Sequence, residues 1–99
     1  MDYFLTISEA AEDDLRDAFL WYEEQKSGLG GRFEKHMNDC MDDVLKNPLK
    51  FQIRYSETHI CFLKTFPYGI HFVVREQEIL VVAVFHTSRN PQRWEKRSS

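Results

Sequence analysis

An α+β fold is predicted for this chain of 99 residues, with a helical hairpin packed on one face of an antiparallel sheet in the order β-α-α-β-β-β-β. Three observations predict it. Apolar residues between positions 11 and 45 recur every three or four places, the helical period. Between positions 50 and 86 they alternate or run together in short β-branched and aromatic stretches, the strand signature. Ser27-Gly28-Leu29-Gly30-Gly31 and Asn47-Pro48 then punctuate the chain between those blocks.

The first strand is the short run 3–7, Tyr-Phe-Leu-Thr-Ile. Ser8 follows as a helix cap, and Glu9, Glu12 and Asp13 sit where the positive end of the helix dipole favours acids. Ala11, Leu15, Ala18, Phe19 and Tyr22 lie on one stripe, which carries this helix to about Gln25. Beyond the glycine turn a second stripe runs through Leu29, Phe33, Met37, Cys40, Met41, Val44 and Leu45. Asn47-Pro48 stops it, because proline disfavours helical geometry in the residue before it. Four strands follow: 50–55, 59–66, 68–75 and 78–86.

A two-residue loop at Glu76-Gln77 pairs Arg75 with Glu78 and sets the register of the last hairpin. Strict alternation then puts Tyr68, Ile70, Phe72 and Val74 beside Ile79, Val81, Ala83 and Phe85, an apolar face for the helices. The opposite face carries Gly69, His71, Val73 and Arg75 beside Leu80, Val82, Val84 and His86. With both helices used on the first face, the strip His71, Val73, Leu80, Val82 and Val84 is expected to receive a partner from outside.

The length gives one domain, residues 1–99, with a single core. Eight Phe, four Tyr and two Trp make disorder unlikely as a class. The opening Met-Asp-Tyr-Phe has no basic segment before an apolar one, so no signal peptide is expected. The run Ile79–Phe85 is too short to span a bilayer, so no membrane partner is expected. Cys40 and Cys61 form no Cys-x-x-Cys pair, and two free thiols in a reducing cytoplasm are expected. The net charge of −3 divides unevenly. Residues 1–45 hold twelve acids against four Lys and Arg, net −8, whereas residues 46–99 hold four against nine, net +5. Only the second half is suited to a polyanion.

Trp21–Phe33, Lys46-Asn47-Pro48, Phe66–Val74 and Val82–Trp94 together resemble the RelE/ParE superfamily of type II toxins, and more closely its ParE-like plasmid stabilisation branch. The resemblance follows nearly the whole chain in order and implies the same fold. It also implies a growth-inhibiting toxin held silent by a cognate antitoxin, with a toxin–antitoxin hetero-oligomer as the resting form. The antitoxin segment would lie on the apolar strip named above. Two modes of toxicity follow from the superfamily: binding a macromolecular target such as DNA gyrase, or cleaving mRNA on the ribosome as an interferase. A degenerate member that binds antitoxin without toxicity is a third reading.

Each mode asks for different residues. Cleavage requires a base for the 2′-hydroxyl, an acid for the leaving oxygen and cations for the phosphate. His86 with Arg54, Arg75 and Arg89 is the candidate set, and Lys64 is a further cation. No tyrosine accompanies His86 at the end of the last strand, and His59 stands where relatives often carry arginine. A strand-end histidine that hydrogen-bonds its own turn is therefore the expectation for His86. For a binding mode, Arg89, Arg93, Trp94 and Arg97 form a basic, aromatic tail suited to a target. His36 and Cys40 lie one helical turn apart with no second ligand pair, so neither a metal nor another cofactor is expected.

Overall fold

The computed structural model describes residues 2–88. Its elements are β1 (Phe4–Ile7), α1 (Glu9–Gln25), α2 (Leu29–Lys46), a 3-10 turn (Pro48–Lys50), β2 (Ile53–Tyr55), β3 (Thr58–Phe62), β4 (Tyr68–Arg75) and β5 (Glu78–His86). This is the predicted order. The sheet runs β1-β5-β4-β3-β2, antiparallel throughout except that β1 lies parallel to β5 at one edge. The α1–α2 hairpin connects β1 and β2, the two opposite edges of the sheet.

Local chemistry fixes the hairpin. Ser8 caps α1 by accepting from the Ala11 N–H at 3.1 Å. Gly28 takes φ 90°, the left-handed region that glycine enters without penalty, and reverses the chain. It offers no side chain to cap α2, so the Glu23 carboxylate does so from α1, accepting from the Gly28 and Gly30 N–H groups at 2.9 and 3.0 Å. Gly30 is also where the helices touch: a Cβ there would lie 2.8 Å from the Phe19 carbonyl oxygen. One carboxylate and one bare backbone position thus set the angle between the helices.

The core lies between the hairpin and the sheet. Phe33, Met37 and Val44 of α2 and Ala11, Ala18 and Tyr22 of α1 are buried against Ile70, Phe72, Ile79 and Val81. Tyr22, Phe33, Phe66 and Tyr68 form an aromatic cluster with ring centroids 4.9–6.0 Å apart, a spacing at which edge-to-face contacts add to area burial. No helix among the described residues is long and apolar enough to cross a membrane.

The expectation of two free thiols is corrected. Cys40 of α2 and Cys61 of β3 form a disulfide, with Cα atoms 6.6 Å apart. Their separation of 21 residues gives no spacing signature, and only the packing of α2 on β3 brings the sulfurs together.

Candidate binding face

The β4–β5 hairpin positions the face. As predicted, Arg75 pairs with Glu78 across the two-residue turn, and Glu76 takes φ 57° to close it. Val74↔Ile79, Val73↔Leu80 and Phe72↔Val81 follow in register. The ladder then slips, because His71 pairs with Ala83 and Val82 is left as the extra residue of a bulge. A one-residue slip exchanges the faces of everything beyond it. Val84 and His86 turn toward the helices, while Ala83 and Phe85 turn away, the reverse of strict alternation.

The bulge has an identifiable support. β1 ends at Ile7, and Ser8 closes that ladder by donating its N–H to the Val81 carbonyl at 3.0 Å. The Ser8 hydroxyl reaches the Val82 carbonyl at 3.5 Å. Past this point no strand among the described residues lies on that side of β5, and the half-buried Asp14 of α1 accepts from the Val84 N–H at 3.0 Å. A backbone donor that the sheet leaves over is satisfied by a helix carboxylate.

Two corrections to the proposed docking strip result. Val84 is not on it: it is 2% exposed and belongs to the core cluster. His71 and Val73 do lie on the outer face but are 1% and 8% exposed, so they present little surface. The hydroxyl of Tyr55 lies 2.8 Å from His71 Nδ1, and the Phe85 ring meets the imidazole edge-on at 5.3 Å. Tyr55 reaches this side because β2 also slips, between Ile53 and Tyr55. Leu80 and Val82 remain half-buried. Large apolar exposure flanks them at Phe4, whose strand neighbour Thr6 pairs with Leu80, and across the sheet at Phe62, under the Arg54 guanidinium at 5.3 Å.

Of the candidate cleavage residues, His86 and Arg75 are not brought together. His86 pairs with Tyr68 at one end of β4, and Arg75 stands at the other end of that strand. Seven residues of strand separate those ends by about 23 Å, too far for one phosphate. Arg75 is bound to Glu57 at 3.4 Å. His86 Nδ1 accepts from the Ser88 N–H at 3.2 Å, which is the strand-end role expected for it. His59 is buried, stacked on Phe72 at 5.1 Å with Nδ1 2.7 Å from the Phe51 carbonyl. It packs where a surface cation was anticipated. His36 meets the Phe66 ring at 5.4 Å, and no cluster of potential metal ligands occurs among the described residues. Arg89, Arg93, Trp94 and Arg97 lie outside the described residues.

Sequence reasoning missed an apolar groove between the helices. Ile7, Leu15, Phe19, Phe33, Met37 and Met41 line a cavity of about 310 Å³, rimmed by Arg16, Glu34 and Asn38. Leu15, Phe19 and Met41 lie on the predicted apolar stripes, but each is only half-buried. Their partial exposure was available only once the helix angle was known.

Comparisons with known proteins agree with this architecture. No curated protein sequence matches the chain. Among solved structures, that of a chromosomal ParDE TA system from P. aeruginosa superposes with a TM-score of 0.78, covering 87% of this chain and 97% of that one. At 12% identity that likeness establishes the fold alone. Residues 5–91 match the model of the ParE toxin of type II toxin-antitoxin system, parDE, and the chain belongs to that family.

Proposed function

We propose that the protein is a growth-inhibiting toxin that acts by binding a macromolecular target, with DNA gyrase the first candidate, and that a cognate antitoxin neutralises it. The family match supports a toxin. The observation that favours binding over cleavage is the separation of His86 from Arg75 by the length of β4, with each already engaged by Ser88 and Glu57. Cleavage would require the base and the phosphate-neutralising cations within a few ångströms of the same nucleotide.

The antitoxin segment is assigned to the outer-face strip, reduced to Leu80 and Val82 with Phe4 beside them. These residues keep apolar surface that the helices do not cover, along a run of strand to which an extended peptide can align. The basic tail Arg89, Arg93, Trp94 and Arg97 is assigned to the target.

Induced expression in bacteria tests the mode of toxicity. Growth, plasmid supercoiling and mapped transcript 5′ ends are followed for wild type and His86→Gln. Lost supercoiling with intact transcripts, little changed by the substitution, is the expected outcome. Cuts within translated codons that vanish in His86→Gln establish the interferase instead, since a general acid–base group contributes about 10²–10⁴-fold to rate. Unimpaired growth leaves antitoxin binding without toxicity.

A further inference from the structure

We infer that Cys40 and Cys61 form a reversible thiol–disulfide exchange site open to low-molecular-weight disulfides, and that its oxidation state sets the stability of the β2 edge of the toxin. Two observations carry this. The sulfurs are bonded to each other, yet each also faces the other residue's carbonyl: Cys40 Sγ lies 3.5 Å from the Cys61 oxygen, and Cys61 Sγ lies 3.9 Å from the Cys40 oxygen. A disulfide sulfur has no hydrogen to donate, so these contacts become hydrogen bonds only in the dithiol. Each sulfur thus has a backbone acceptor nearby for a thiol to use once the two sulfurs part.

The second observation is access. Both cysteines are about 95% buried as residues, but they line a cavity of about 260 Å³ between α2 and β3. Its other walls include Asp39, Asp43 and Lys64, all solvent-exposed, and the half-buried His36. A small disulfide would approach the sulfurs through this cavity. Lys64 is the cation among the lining residues, with Asp39 and Asp43 as opposing charges, and a cation close to a cysteine favours its thiolate.

The exchange balances without any further reagent. One cysteine thiolate attacks a sulfur of R–S–S–R, forming a mixed disulfide and releasing one RSH. The second thiolate attacks the protein sulfur of that mixed disulfide and releases the second RSH. The protein dithiol loses two electrons to the incoming disulfide, and the two thiol protons leave on the released thiols. The bond closes a loop that contains nearly two turns of α2, the 3-10 turn, β2 and the start of β3. Oxidation therefore tethers the edge strand that carries Arg54 and Tyr55, and reduction releases it.

The test equilibrates the full chain anaerobically in mixtures of reduced and oxidised glutathione, quenches with an alkylating agent and weighs the products. One two-electron transition is expected, between doubly alkylated and unlabelled protein, with folded circular dichroism at both ends. The oxidised form should melt roughly 15 °C above the reduced form, from the loop-closure effect of a bond of this span. In Cys61→Ser the exchange should stop at a glutathione-capped Cys40. Double alkylation across all ratios, or melting independent of oxidation, overturns the proposal. So does a reduced wild type that unfolds, since the bond is then a permanent staple, or a Cys61→Ser protein that takes up no glutathione.

Discussion

Between Ile79 and Val81, strand β5 has β1 on one flank and β4 on the other; between Ala83 and His86 only β4 pairs with it among the described residues, and α1 supplies Asp14 to the Val84 N–H. Alternation set by the Glu76-Gln77 turn holds on the first side of Val82 and inverts on the second. Five neighbouring apolar residues, Val81 to Phe85, carry no preference for either face on their own. Polar groups outside the β4–β5 ladder, Ser8 and Asp14, accompany the slip and satisfy the backbone that it leaves over. The slip leaves Leu80 and Val82 half-buried on the outer face, the surface proposed for a partner.

The sharpest way to break this comparison is to place the same charge on the two sides of the slip. Val84→Asp buries an unpaired carboxylate in the core and should cost at least about 4 kcal/mol, enough to unfold much of the population in chemical denaturation. Val82→Asp should change folding stability by no more than about 1 kcal/mol, because the position is half-open. The same Val82→Asp protein should bind its antitoxin roughly hundredfold more weakly in calorimetry, equivalent to about 3 kcal/mol. Equal stability losses at 82 and 84 would mean that the bulge is misplaced.

Smaller effects sharpen the account. Asp14→Ala leaves the Val84 N–H without its acceptor and should destabilise the chain by about 1–3 kcal/mol. Asp14→Ala should also raise hydrogen exchange at Val84 well above that at Ile79 on the near side of Val82. Tyr55→Phe removes the hydroxyl contact with His71 and should cost about 1 kcal/mol with no change in secondary structure. His86→Gln should move stability least, by about 0.5 kcal/mol, since it exchanges one acceptor for another at a strand end.

Much of the fold was legible because punctuation and period are local properties. Ser8, Gly28, Pro48 and the Glu76-Gln77 turn each act within a few residues, and the elements they delimit stand where expected. The site was less legible because its determinants act at a distance. Asp14 and Val84 are 70 residues apart, Cys40 and Cys61 are 21 apart, and Tyr55 and His71 are 16 apart. Nothing in local sequence distinguishes Asp14 from the other acids of α1, and it reads as one more charge on a solvent face. His86 was the exception: its engagement with Ser88 lies two residues away and was anticipated.

The central claim, toxicity by binding and not by cleavage, is tested most directly with purified protein in two parallel reactions. One holds DNA gyrase, relaxed plasmid and ATP; the other holds a translating extract with end-labelled mRNA. Dose-dependent loss of supercoiling beside intact mRNA is the predicted result, and a stoichiometric excess of antitoxin should restore activity. Undisturbed gyrase beside mRNA cut in the wild-type reaction but not in His86→Gln would contradict it.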